Sequence, residues 1–393
     1  MSDATDQHTA SADPADTNAA TADLDVDEDL LTMMGDVLAA HNGADAKPDP
    51  AAVWQSLVEV GLARLTAPEA GGGSGAGWAE AAALLRMSAA AGVAVPYAET
   101  DLVVGPLRRA AALDDATTAT ATLAVIGPDG LARRVAWAGG TDSVLFVRRA
   151  GGDDDEVGGR RTGGYELAEV PTGRTGVAAV RGVSAVRLAD VSPPEDATWT
   201  AVDTAAVEAA VLRGALARAV QCVGAAEGML DSAVAHTTQR NQFGRPLSRF
   251  QSVQNLVVDI AAETVLARAA VDQAVADALT TDLGGPLSGF RVAAARSVVS
   301  QALAVAVRNA HQVHGAMGTT HEHTLHRLTL PALQWRGEFG SATFWESLLA
   351  DAAVDGGMDG AWPMVVEGTP IDGAAVAWLD RVTRAHPAPS RDR

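Results

Sequence analysis

The chain is poor in cysteine, in positive charge and in long apolar runs. Cys222 is the single cysteine among the 393 residues. One cysteine excludes an internal disulfide and a cysteine-cluster metal site, and it fits a reducing, cytoplasmic compartment. The formal net charge of -20 argues against a nucleic-acid or anionic-membrane partner, because such binders present positive surfaces. No uninterrupted apolar run reaches about 18 residues, so we expect no membrane span.

Both ends of the chain have the composition of tails. The first 25 residues are rich in Asp, Ala and Thr and lack the basic and apolar regions of a secretory signal. We therefore interpret residues 1–25 as a disordered tail. Residues 356–393 are rich in Gly, Pro and Asp, and we expect a partly disordered tail with one short helix near residues 374–382.

Between the tails, the spacing of apolar residues predicts three domains. Residues 26–119 show helical spacing, and residues 204–355 contain long helical runs that favour antiparallel neighbours in a bundle. Residues 120–203 carry short β-branched runs between turn signals, which predict a small antiparallel β domain. The strands predicted there are residues 123–126, 134–138, 143–147 and 184–188. The expected fold class is mainly α with a small β domain.

Residues 238–254 combine residue types that packing alone explains poorly. Arg240 and Arg249 flank a Gly-Arg-Pro turn that contains Arg245, and this segment lies between two long apolar-periodic runs. The glycine and proline interrupt regular structure, and arginines offer planar, permanently charged donors suited to a phosphate or a carboxylate. A polar corner between two helices, without any ligand, is equally compatible with these residue types.

A second unusual segment, residues 309–327, holds five of the nine histidines. Their order, His-Glu-His-x-x-His, lacks the His-Glu-x-x-His spacing that places two metal ligands on one helical face, so we predict no metal site there. Gly315 permits close approach of the backbone to a ligand. Gln312 stands in the last turn before that break, and its side-chain amide can both donate and accept hydrogen bonds.

Together the two segments resemble the acyl-CoA dehydrogenase family. The motifs are Arg-x-Gln-Phe-Gly-Arg-Pro-x-x-x-Phe-Gln at residues 240–251 and Gln-x-x-Gly-x-x-Gly-x-x-x-Glu at residues 312–322. The resemblance extends over residues 26–353 in the order helical, β, helical. It implies an N-terminal helical domain, a middle β domain and a C-terminal four-helix bundle.

The resemblance implies FAD as the cofactor. Arg240 matches the arginine that contacts the FAD pyrophosphate of a neighbouring subunit, so the site is shared and an oligomer is required. Gln312 and Gly315 match the segment along the adenosine side of the dinucleotide. Four further positions match its other contacts: Gln242, Phe243, Phe250 and Gln251.

The resemblance also implies a reaction. In this family a carboxylate removes the α proton of an acyl-CoA thioester as a general base, and the β hydrogen leaves as hydride to the flavin. The implied substrate is therefore an acyl-CoA, from fatty acid or sterol side-chain degradation. Electron-transfer flavoprotein is the implied electron acceptor.

The catalytic base of the family does not align with a carboxylate here. Its usual position holds Phe339, and the alternative position of some members, on the helix before Arg240, holds Gly214. Glu338 reaches the usual position after a change of register by one residue. A surface glutamate paired with Arg336 is the competing interpretation of Glu338.

The β domain departs from the family as well. Residues 120–203 contain no match to the Thr-Glu-Pro-like, Gly/Ser-rich segment that binds flavin and acyl-CoA in typical members. Such half-preserved sites resemble actinobacterial members that work as pairs of unlike subunits. Three hypotheses remain: a homo-oligomer with Glu338 as base, a degenerate partner in a heteromer, or a flavin-free, non-catalytic scaffold with the same fold.

Overall fold

The computed structural model describes residues 26–43, 48–115, 117–150, 156–157, 160–161, 164–180, 184 and 186–384. The predicted tail at residues 1–25 lies outside this part of the chain, as do residues 385–393.

The N-terminal part is helical, as the sequence predicts. Asp27 caps the first helix by accepting hydrogen bonds from the amides of Asp29 and Leu30. A π-helical turn, Ala98–Val104, precedes the fourth α-helix and places Glu99 in the interior. The helices are α1 (Glu28–His41), α2 (Pro50–Glu59), α3 (Trp78–Ala90) and α4 (Gly105–Ala110).

The two main sheets of the middle part pack face to face, and β4 and β5 form a separate two-stranded pair. The larger has the strand order β1-β3-β6-β9 and the smaller β2-β8-β7. Phe146 of the larger sheet and Val191 of the smaller meet in a shared apolar cluster. The strands are β1 (Ala121–Val125), β2 (Ala132–Ala136), β3 (Ser143–Arg149), β4 (Glu156–Val157), β5 (Arg160–Arg161), β6 (Tyr165–Pro171), β7 (Gly176–Val180), β8 (Leu188–Ser192) and β9 (Thr200–Val202).

Two expectations about the strands are wrong. Strand β1 runs parallel to β3, with Ala121 opposite Ser143, because the chain crosses to the other sheet through β2 before it returns. The predicted strand at residues 184–188 is instead β8, which begins at Leu188. Its polar Asp190 sits mid-strand, where it accepts a hydrogen bond from the amide of Arg134.

The C-terminal part is the predicted bundle, built around one long helix. This helix, α5, is buried over most of its length because alanine and glycine let its neighbours approach closely. A Cβ on Gly224 would lie 2.2 Å from the carbonyl oxygen of Arg86 on α3. The bundle helices are α5 (Thr204–Gln239), α6 (Gln251–Thr281), α7 (Ser288–His314), α8 (His326–Trp335) and α9 (Ala342–Asp355).

Residues 356–384 are folded in part, although the composition favours a tail. They form α10 (Ala361–Glu367) and α11 (Ala374–Thr383). The second of these helices packs on the core: Leu379 is fully buried, and Asp380 forms an ion pair with Arg149 of β3. The end of the described chain therefore belongs to the folded body.

Two helical segments are long and apolar enough to cross a membrane by length and composition alone: α5 and residues 288–319. Their most apolar windows are 94% and 56% buried inside the fold, respectively. Core helices of globular proteins can be equally long and apolar, and the burial of α5 is typical of such a core helix.

Candidate functional site

A cavity of about 570 Å³ lies where the β domain meets α5 and α11. Residues of β1 and β2 line one side, and the loop between α8 and α9 lines the other. The π-helical turn contributes Glu99, and α5 contributes Arg218. Cavities of this size between domains are typical of small-molecule sites.

Arg218 joins two carboxylates in the cavity wall. Its Nε donates to Glu338 at 2.7 Å, and its remaining nitrogens donate to Glu99 and to Gln221. The side chains of Arg218 and Glu99 are only 2% and 4% exposed. The second oxygen of Glu338 accepts a hydrogen bond from the amide of Gln334 at 2.8 Å. Glu338 is thus engaged through both oxygens.

Burial and ion pairing shift the pKa values of this cluster in opposite directions. Burial raises the pKa of Glu99 above its ordinary value, and the Arg218 guanidinium opposes that rise only in part. For Arg218, burial would lower the pKa, but the charges of Glu338 and Glu99 outweigh it and raise the pKa. The guanidinium therefore stays charged and holds the two carboxylates together.

The interpretation of Glu338 as a surface partner of Arg336 is wrong. Arg296 of α7 fixes the loop after α8 by donating to the carbonyl oxygens of Glu338 and Gly340, both at 2.8 Å. This loop conformation turns the Glu338 side chain inward, onto Arg218. Burial lowers the pKa of Arg296 to about 10.

The two positions that match the family's base contact each other. A Cβ on Gly214 would lie 2.4 Å from the ring of Phe339, so glycine is required opposite that ring. Phe339 has a φ of 52° and stacks on Trp378 of α11, with ring centroids 5.7 Å apart. Neither position holds a proton acceptor.

The arginine-rich segment of residues 240–251 forms an exposed corner after α5. Arg240 directly follows α5 as its C-cap, and the strands β10 (Asn241–Gln242) and β11 (Arg245–Pro246) form a short hairpin. Phe243 stands at its tip, 91% exposed, with an edge contact to Phe250 at 6.2 Å. Within the described residues, the Arg240 guanidinium has no hydrogen bond or ion pair.

The structure brings most of the sequence-predicted site residues to one end of the bundle. Gln312 is exposed in the last turn of α7, and Gly315 follows that helix with a φ of 61°. The ring of His314, between them, lies 4.6 Å from that of His236, one turn before Arg240. Gln242 and Gln251 belong to the same corner, in β10 and at the start of α6.

Glu338 lies far from this corner. Its partner Arg218 stands on α5, and Arg240 is the C-cap of the same continuous helix. At 1.5 Å per residue, the two arginines are separated by about 33 Å along the helix axis. The corner therefore cannot reach the cavity of its own chain.

Glu99 and Arg218 are two residues of the cavity that the sequence motifs do not indicate. The signal available for Arg218 was a charged residue in an alanine-rich helix with apolar residues on all sides, which requires a buried partner. Glu99 carried no such signal, because its inward direction depends on the π-helical turn.

Comparison with known proteins identifies the bundle. Residues 204–342 match the acyl-CoA dehydrogenase C-terminal domain. The acyl-CoA dehydrogenase IpdE2 of Mycolicibacterium smegmatis is 34% identical over 111 residues, which are 28% of this chain and 33% of that protein. The probable acyl-CoA dehydrogenase FadE25 of Mycobacterium tuberculosis is 37% identical over 107 residues, which are 27% of each chain. The match spans about a third or less of these relatives.

Solved structures extend the likeness to most of the chain. The ChsE4-ChsE5 complex from Mycobacterium tuberculosis has a TM-score of 0.74 at 20% identity, covering 85% of this chain and 99% of the matched chain. Butyryl-CoA dehydrogenase from Megasphaera elsdenii has a TM-score of 0.71 at 17% identity, covering 84% and 99%. The predicted fold class and the resemblance to the acyl-CoA dehydrogenase family are confirmed.

We predict that Arg218→Met destabilises the chain by about 3–5 kcal/mol, because it leaves two buried carboxylates without their cation. Arg268→Met is the matched control, since Arg268 also contacts two carboxylates but is 49% exposed. We expect the control to change stability by less than about 1 kcal/mol. Urea unfolding followed by circular dichroism measures both. Equal effects of the two substitutions would contradict a structural role of the buried cluster.

Proposed function

From the acyl-CoA dehydrogenase fold and the matching C-terminal domain, we propose that this chain is a subunit of an FAD-dependent acyl-CoA dehydrogenase. It completes the flavin site of a different, partner subunit. The assembled enzyme dehydrogenates an acyl-CoA thioester between the α and β carbons. Bound FAD would accept the hydride, and electron-transfer flavoprotein would reoxidise it.

The observation that best supports this proposal is the distance between the corner and the cavity. Arg240 is exposed, carries a permanent charge and stands about 33 Å along α5 from the cavity wall. A residue in that position is available to another chain and not to its own cavity. Arginine pairs with phosphate oxygens through two parallel hydrogen bonds, which fits the pyrophosphate of FAD.

The remaining corner residues fit the same ligand. Phe243, at the tip of the hairpin that follows Arg240, is 91% exposed, and the Arg245 guanidinium lies over the half-buried ring of Phe250 at 4.1 Å. Gln312 offers an exposed amide at the end of α7, and the backbone at Gly315 is accessible because glycine adds no side chain. Gln242, within the hairpin, and Gln251, at the start of α6, add further side-chain amides.

The environment of Glu338 favours a partner that supplies the base. Both of its oxygens are engaged, by Arg218 and by Gln334. The two family positions for a base hold Phe339 and Gly214, in mutual contact. One similar structure is the ChsE4-ChsE5 complex, and pairing of this chain with a complete subunit would provide the missing base.

The location follows from the same features. We propose a soluble, cytoplasmic protein, because its single cysteine is a free thiol buried in α5 and the apolar window of α5 is 94% buried inside the fold. Sterol or fatty acid degradation is the proposed setting.

Co-expression decides between the three hypotheses. We expect the chain purified alone to carry little flavin, and the chain co-purified with a complete acyl-CoA dehydrogenase subunit to be yellow and bleached by acyl-CoA. Flavin absorbance and turnover are measured for both preparations. Full flavin content and activity of the chain alone would favour the homo-oligomer. Absence of flavin under both conditions would favour the scaffold.

Replacement of Arg240 tests the corner. We predict that Arg240→Ala lowers the flavin content of the assembled enzyme at least about tenfold, because an ionic hydrogen-bonded pair contributes roughly 1.5–3 kcal/mol. Arg249→Ala is the matched control, since Arg249 is an exposed arginine of the same corner that matches no flavin contact. Wild-type flavin content in Arg240→Ala would refute the role of this residue.

Replacement of Glu338 tests the origin of the base. In the assembled enzyme we expect Glu338→Gln to leave turnover within about threefold of the wild type, whereas loss of a general base costs roughly 10²–10⁴-fold. Glu346→Gln, on another partly buried glutamate, controls for the substitution itself. Steady-state turnover with an artificial electron acceptor provides the measurement. A loss of 100-fold or more, seen only in Glu338→Gln, would make Glu338 the base.

A further inference from the structure

Three histidines from three separate segments converge beside the corner. His236 stands on α5, His314 ends α7, and His323 lies in the loop before α8. One ring nitrogen of each lies within 4.8 Å of those of the other two. The ring centroid of His314 is 4.6 Å from that of His236 and 4.7 Å from that of His323.

The central histidine is oriented by the backbone. Nδ1 of His314 lies 2.8 Å from the carbonyl oxygen of Ala310. A carbonyl oxygen only accepts, so Nδ1 carries the proton and Nε2 keeps its lone pair. Histidines that bind metals are commonly held in this way, with the other ring nitrogen donating to a carbonyl. The hydroxyl of Ser232, at 3.0 Å, lies against Nε2.

We propose that His236, His314 and His323 bind one divalent transition-metal ion of the zinc type. Three imidazoles form a ligand set that suits zinc, nickel or copper, and water completes a tetrahedral coordination shell. The absence of oxygen ligands from this set disfavours calcium and magnesium. His314 is buried while His236 and His323 are partly exposed, so the ion enters from solvent.

Binding requires small local adjustments. Zinc–nitrogen bonds of about 2.0–2.1 Å place the nitrogens of a tetrahedral site roughly 3.3 Å apart, so the partly exposed rings move inward. Ser232 must rotate away from Nε2 of His314. Ligation through Nδ1 of His323 also gives up the hydrogen bond that this atom accepts from the amide of Leu325.

A metal ion bound by these three histidines would connect separate segments of the chain. It would join the end of α5, the end of α7 and the loop before α8. His236 accepts, through its carbonyl oxygen, the hydrogen bond from the amide of Arg240 at 2.9 Å. A metal at this point would therefore hold the base of the exposed corner, one helical turn from the arginine.

Titration of zinc into the chain tests the proposal. The tag-free, full-length chain is stripped with EDTA and titrated with ZnCl₂ by calorimetry, and CoCl₂ is added separately to record d–d absorption. We expect one zinc per chain, a tetrahedral cobalt spectrum and a higher melting temperature. His236→Gln and His323→Gln should each weaken zinc binding by at least about 100-fold. Replacing a residue that only supports a ligand costs up to about 100-fold, and loss of a ligand itself should cost no less.

Two further variants test whether zinc binds at these three histidines and not elsewhere. His321→Ala removes an exposed histidine of the same loop that lies outside the cluster, and zinc affinity should stay within about threefold. Ser232→Ala frees Nε2 of His314, and affinity should rise by about threefold or more, since one hydrogen bond no longer competes. Zinc binding that is absent, or that falls equally in His321→Ala and His236→Gln, would overturn the proposal.

Discussion

The ion pairs of Arg218 are the interaction on which the central part of the molecule depends. One buried guanidinium binds a carboxylate from the N-terminal part, Glu99, and another from the loop after α8, Glu338. Two distant regions of the chain are thereby fixed to the middle of α5. Because charges buried together must be paired, the cluster constrains the cavity wall more strictly than apolar packing would.

The length of α5 separates two kinds of chemistry. Its middle carries the paired charges of the cavity, and its end carries the exposed arginine of the corner. A continuous helix of 36 residues behaves as a rigid spacer, so these two places keep a fixed distance. The end of the helix is in consequence a surface for another molecule, whichever ligand it binds.

Much of the fold could be predicted from the sequence, because apolar spacing in long helices is a strong signal. The long helices α5, α6 and α7 all lie within residues 204–355, where the sequence predicts long helical runs. The sheets were predicted less well: β7 has an exposed Gly-Val-Ala-Ala-Val sequence, and the parallel pairing of β1 with β3 depends on contacts that local patterns do not record. The corner was recognisable as a motif, whereas Glu99 and Arg218 depended on tertiary contacts.

Helix α11 limits the order in which the parts of the protein can fold. Trp378 of α11 stacks on Phe339 in the cavity wall, and Asp380 reaches back to Arg149. During synthesis on the ribosome, these contacts cannot form until almost the entire chain has emerged. The cavity is thus among the last parts to be completed, because contacts between residues far apart in sequence carry a high loop-closure cost.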